Sequence, residues 1–181
     1  MHELASRHKF GNMLLNGMMF NLAWLGIVMT HSVVYAPLFA ALHLVIHFIV
    51  MGKGFPELRV IGVVTVLGCL LDQLLFRVGV FTGAGLSVLP PLWMACLWPV
   101  LASTLLHAFS TLRGRYFLSA FLGAIGGAVS YTAGTRLTEV AFGSAVYGPM
   151  AVGLLWAMLF PALLDLADVL SRSGRANEKL S

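Results

Sequence analysis

Six stretches of the chain are almost wholly apolar: approximately Asn12 to Thr30, Val33 to Met51, Val60 to Val80, Leu92 to Leu112, Tyr116 to Gly134 and Met150 to Ser171. Each approaches the length of about 20 residues that a helix needs to span a ~30 Å hydrocarbon core. In lipid the backbone must satisfy its own hydrogen bonds, so runs of this kind predict helices. The pattern therefore predicts an all-α, polytopic membrane bundle: a single six-helix transmembrane domain over residues 1–171, then a short polar tail, 172–181, without structure of its own. The breaks agree with this. His31 and Ser32 leave room only for a tight hairpin, and Pro37 falls in the first turns of helix two, where its missing N–H costs least. Gly52, Gly54 and Pro56 punctuate the next turn, and Gly83, Gly85, Pro90 and Pro91 the one after. Pro99 and Pro161 lie within helices four and six, where kinks are expected.

Inside the runs, small and polar residues recur at helical spacing, which marks the sides that face protein rather than lipid. Helix two carries Ala36, Ala40, His43 and His47; helix three carries Gly62, Thr65, Cys69 and Asp72, with Gln73 beside them. Helix four presents Cys96, Ser103, His107 and Ser110, and helix six Pro161, Asp165 and Asp168. These stripes are expected to converge in the interior. Helix five instead has a ridge of small residues, Ser119, Gly123, Gly126, Gly127, Ser130 and Gly134, whose spacing predicts close helix packing.

Composition sharpens the class. The 181 residues are 59% hydrophobic and 10% charged, far below the roughly 25% charge of soluble domains, so the bilayer is the expected partner. The net charge of +4 lies in short clusters between apolar runs, which is no nucleic-acid footprint. Of the 11 basic residues, nine (Arg7, Lys9, Lys53, Arg59, Arg113, Arg115, Arg172, Arg175 and Lys179) fall on one side of a six-span arrangement. Arg136 alone lies in a loop on the other side, and Arg77 can snorkel outward. The positive side is cytoplasmic, so both termini are expected there. Arg7 and Lys9 precede an apolar run too long for a signal peptide and without an A-x-A site, so an uncleaved first helix is expected. Cys69 and Cys96 lie in apolar runs without ligand spacing and read as free thiols.

Ionisable groups at membrane depth cost ~2.5 to 3.5 kcal/mol each, so their presence needs a reason. Counting about 1.5 Å per residue puts His47, His107, Asp165 and Asp168 roughly 5 to 9 Å inside the cytoplasmic boundary, with His43 and Asp72 near the midplane. For the candidate polar site, comprising His43, His47, Asp72, Gln73, His107, Asp165 and Asp168, three readings stay open. These are hydrogen bonds that hold the bundle together, a proton relay or polar-ligand site, and metal binding. For a metal, His43 and His47 share a helix face, with Asp72, Asp165 or His107 as a further ligand. Asp72 has no cation on its own face, so it is expected to be either a neutral acid or partnered from another helix, His43 being the favoured partner. No G-x-S-x-G, HExxH or phosphate-binding loop occurs, so no catalytic residue or cofactor is assigned.

Several segments carry a resemblance. Phe20 to Trp24, Leu67 to Gln73, the stretch from Pro91 to Trp98 continuing to His107, and Leu122 to Tyr131 resemble a family of small bacterial inner-membrane proteins known only as a domain of unknown function. Where that family tends to have Gly-Gly-Pro in helix five, this chain has Gly126, Gly127 and Ala128. The resemblance implies a multi-pass protein of the bacterial inner membrane. It also implies genomic neighbours that resemble cyclopropane-type fatty-acid synthases and flavin amine oxidases, and hence a role in membrane-lipid modification or envelope oxidative stress, with a soluble or membrane protein as partner. Two other roles fit the same architecture: a carrier resembling the substrate-binding subunits of vitamin-uptake transporters, with a ligand among Trp24, Trp98 and Trp156, and a structural scaffold.

Overall fold

The structure, a computed structural model, describes residues 2–83 and 89–178, with side chains described over 10–83 and 89–173. Gly85 and Lys179 lie outside the described residues, as do the side chains of Arg7, Lys9 and Arg175. Among the described residues there are six α-helices: α1 (His2–Thr30), α2 (Tyr35–Met51), α3 (Phe55–Arg77), α4 (Leu92–Leu105), α5 (Tyr116–Leu137) and α6 (Tyr147–Glu178). Four are long and apolar enough to cross a membrane: α3, α5, and the segments Phe10–Thr30 of α1 and Tyr147–Ser173 of α6. The other two, α2 and α4, are shorter apolar helices of 17 and 14 residues. Outward faces carry Leu22, Met29, Ile49, Phe117 and Leu154, with Phe117 95% exposed. Such a surface suits lipid better than water.

Three features depart from the pattern-based expectation. Helix four stops at Leu105, not Leu112, because the chain turns there: the Thr104 carbonyl accepts both the His107 N–H (3.1 Å) and the Phe109 N–H (3.0 Å), and a short 3-10 turn follows at Ser110–Leu112. The turn carries His107 inward. Secondly, α6 continues through residues 172–178, most of the stretch expected to lack structure. Thirdly, the otherwise all-α fold contains a strand pair, β1 (Phe81–Thr82) and β2 (Ala141–Phe142), antiparallel with Phe81 opposite Phe142 and Thr82 opposite Ala141. It ties the α3–α4 connection to the α5–α6 connection. Phe81, 1% exposed, stacks there between Phe142 and Tyr131 (ring centroids 5.1 and 5.2 Å).

Packing is uneven around the bundle. α1 packs on α2, α3 on α4 and α5 on α6; α4 also meets α1 and α2, and α3 meets α6. The α5–α6 contact is the most extensive, because Gly123 and Gly127 leave room for Phe160 and Trp156, where any Cβ would collide. By contrast, α5 touches α1 over only a short stretch. A gap therefore opens between α1 and α5.

Candidate functional site

Two buried polar centres stand out, and each is built around a carboxylate of α3. The first lies at Asp72, 1% exposed in mid-helix. Mid-helix backbone groups are already paired, so its partners are side chains from other helices. The Trp98 Nε1–H of α4 donates to Oδ2 at 2.6 Å, and the Tyr131 hydroxyl of α5 donates to Oδ1 at 3.1 Å. Gly68, one turn earlier on α3, makes this possible: the Trp98 indole lies where a Cβ would be. Trp98 in turn stacks on Trp156 of α6, with ring centroids 5.8 Å apart and planes 9° apart.

Beside Asp72 is a cavity of about 620 Å³ that fills the gap between α1 and α5. All four tryptophans of the chain, Trp24, Trp93, Trp98 and Trp156, line it, together with Phe20 and Phe160. Along α5 it is lined from Leu122 to Thr135, a length of about 20 Å at the helical rise. One end is closed by Phe81 and Val140 beside the strand pair. Its rim includes Asn21, Leu122, Gly126 and Val129, all exposed on the outer surface, so the cavity opens sideways. The hydrogen bond from Trp24 Nε1–H to Ser130 Oγ, 3.1 Å, bridges α1 and α5 across it.

The second centre is polar and closed. Glu57, in the first turn of α3 and 1% exposed, accepts at Oε1 from His47 Nε2 (2.9 Å) and His107 Nε2 (2.8 Å), and at Oε2 from the Lys53 backbone N–H (2.7 Å). Asn16 of α1, fully buried, backs it: its Oδ1 accepts the Ala108 N–H (3.2 Å), which turns Nδ2 toward His47 Nδ1 (3.3 Å). His47 therefore carries its proton on Nε2, facing Glu57. Among the described residues no buried side-chain nitrogen or oxygen lacks a partner.

The predicted site residues divide between these centres and the surface. His47 and His107 meet at Glu57. His43 does not pair with Asp72: its Nε2 is hydrogen-bonded with Ser103 Oγ (2.9 Å). The expected Asp72–His43 pair is therefore replaced by Asp72 with Trp98 and Tyr131. The expected metal pair His43 and His47 is likewise split, since their rings stack with centroids 6.1 Å apart while His43 turns to Ser103. Asp168 is held by Arg113 and Arg172 near the end of α6, and Asp165 and Gln73 are half-buried. On α3 the buried stripe is Glu57, Val60, Ile61, Val64, Gly68 and Asp72, so Gly62 is exposed and Thr65 and Cys69 are only half-buried. Of the α5 ridge, Ser119, Gly123, Gly127 and Gly134 are buried, Gly126 faces open space beside the cavity, and Ser130 holds Trp24. Both cysteines are free.

Glu57, Asn16, Trp98 and Tyr131 are the members that residue-pattern reasoning passed over as polar-site residues. Glu57 precedes Val60, where the third apolar run is expected to begin, and so falls outside every helical stripe, whereas α3 starts at Phe55. The available signal was its place at three and four residues before the apolar Val60 and Ile61.

The family described as "Protein of unknown function (DUF2878)" matches residues 13–162. The chain belongs to this family. No curated protein and no solved structure matches it. The matched span of this DUF2878 member takes in Asn16, Glu57, Asp72 and His107, and so both polar centres.

Proposed function

We propose that this DUF2878 protein is a membrane-embedded binding protein for an apolar, chain-like ligand that carries one hydrogen-bond-donating or cationic group and enters sideways from the bilayer. The observation that carries the reading is the tryptophan-lined cleft between α1 and α5 with a buried carboxylate in its wall. Its size falls within the ~300–1,000 Å³ of small-molecule sites, and its apolar walls with one convergent polar group are the usual composition of such sites. Asp72 receives two hydrogen bonds, and a carboxylate has about four acceptor positions, so it retains capacity for a ligand donor. No ion pair to Asp72 occurs among the described residues, and a cationic ligand group beside Trp98 and Trp156 suits both carboxylate and rings.

Around this site we read six membrane crossings with both termini in the cytoplasm of a bacterial inner membrane. The bias of basic residues toward one end supports this, and α2 and α4 cross as short helices completed by polar turns. Reporter fusions at Lys53, Arg113 and the carboxyl terminus are expected to read cytoplasmic; a periplasmic signal at any of them overturns the topology. Within the binding role, delivery of acyl chains to a lipid-modifying partner and carriage of a small molecule differ in cargo. Organic extraction of protein purified in mild detergent, followed by mass spectrometry, separates them. A compound present at about one per chain and identified as a lipid supports the first, and a non-lipid apolar compound supports the second. Absence of any enriched compound contradicts the binding role.

A further inference from the structure

We infer that His47, Glu57 and His107 form a binding site for a divalent cation of the zinc class. The three ligand atoms, two imidazole Nε2 and one carboxylate oxygen, lie within 4.8 Å of one another and are buried. They come from three separate parts of the chain: α2, the first turn of α3 and the turn after α4. Two imidazoles converge on the same oxygen, at 2.9 and 2.8 Å. The His47 and His107 rings are nearly perpendicular, 86°, and both Nε2 atoms point at the same carboxylate oxygen. The other carboxylate oxygen is fixed by the Lys53 N–H, which leaves Oε1 to face the imidazoles.

Tetrahedral zinc with bonds of about 2.0–2.1 Å to nitrogen and oxygen holds its ligands about 3.3 Å apart. Each imidazole therefore needs to retreat by roughly half an ångström to admit the ion. Two histidines and a glutamate leave a fourth position for water or a substrate atom, the composition of a reactive rather than a closed structural zinc site. Lys53 lies beside the site, its exposed ammonium donating to the carbonyl of Leu106, next to His107 (2.8 Å).

One rearrangement comes with the ion. A metal at His47 Nε2 places the ring proton on Nδ1, where Asn16 at present offers its NH2. The amide must turn over and give up the bond from Ala108. Asn16→Asp removes that conflict, because a carboxylate accepts from both the imidazole and the backbone N–H, the arrangement that raises ligand basicity at metal-bound histidines.

The test is equilibrium dialysis of tag-free, full-length protein in detergent against buffered Zn2+, with elemental analysis, and with Co2+ as an optical probe. Wild type is expected to retain one Zn2+ per chain and to show the visible bands of low-coordinate Co2+. Glu57→Gln is expected to weaken binding at least tenfold, and Asn16→Asp to tighten it about ten- to hundredfold. Thermal unfolding of metal-free samples checks that each variant is folded; if Glu57→Gln is not, the Asn16→Asp comparison decides. Three results each overturn the proposal: no retention by wild type, retention unaffected by both substitutions, or retention by Asn16→Asp alone, which means the substitution built the site.

Discussion

Glu57 and Asp72 are carboxylates on the same helix, each 1% exposed and about four helical turns apart, yet their surroundings are opposite in character. Glu57 sits where α3 begins, and a helix end supplies free backbone donors as well as loops that bring in side chains. It collects two imidazoles and the Lys53 N–H, with Asn16 behind, and is closed. Asp72 lies where every backbone group is already paired, so only side chains from neighbouring helices reach it. Those that do are an indole and a phenol, which each bring one donor on a large apolar body and leave the rest of the carboxylate facing a cleft. Burial alone therefore does not tell which of the two acids meets a cleft. Spare acceptor capacity beside open volume does.

If this contrast is right, damage at the two acids differs in kind. Glu57→Ala leaves two imidazoles and a backbone N–H without their acceptor and is expected to destabilise the protein by about 3 kcal/mol. Thermal unfolding in detergent measures it, and an unchanged midpoint would make the cluster incidental. Gly68→Ala places a methyl group inside the Trp98 indole and is expected to cost about 2 kcal/mol. It also moves Trp98 off Asp72, which tryptophan fluorescence reads independently of stability; an unshifted spectrum counts against the role given to Gly68. Asp72→Asn preserves shape but turns one acceptor into a donor facing Trp98 or Tyr131. Stability is expected to change by only about 1 kcal/mol, whereas retention of the extracted ligand falls at least tenfold. Equal retention would place the ligand elsewhere. The smallest effect is expected from Trp24→Phe, which removes the bond to Ser130 at about 0.6 kcal/mol and shows itself as faster ligand exchange. Unchanged exchange would mean that the ligand does not pass between α1 and α5.

The helices were largely legible in the sequence because lipid imposes a length on apolar runs, and the α2 stripe of Ala36, Ala40, His43 and His47 is buried as its spacing suggests. The end of α4 was not legible, since the turn after Leu105 contains no glycine or proline and is made by carbonyl sharing at Thr104. On α3 the rule that small and polar faces point inward held at Asp72 but not at Gly62, which is exposed. There Val60, Ile61 and Val64 are buried beside Glu57, Gly68 and Asp72. Partnerships were the least legible of all. Whether His43 meets Asp72 or Ser103 depends on helix rotation and on where Trp98 lies, and Gly68 sets that by leaving space, which no residue pattern announces.

Gly126 allows a decisive measurement, because it faces the cleft and a Cβ there meets nothing within 4 Å. Gly126→Leu thus fills the opening while leaving helix packing and Asp72 intact. Since all four tryptophans line the cleft, a bromine-labelled single-chain amphiphile titrated into purified protein reports occupancy by quenching their fluorescence. Wild type is expected to quench saturably, at low amphiphile-to-protein ratio, and Gly126→Leu to lose the saturable phase while unfolding at the same temperature. Identical saturable quenching in the two proteins, or none in wild type, would contradict a ligand-binding cleft between α1 and α5.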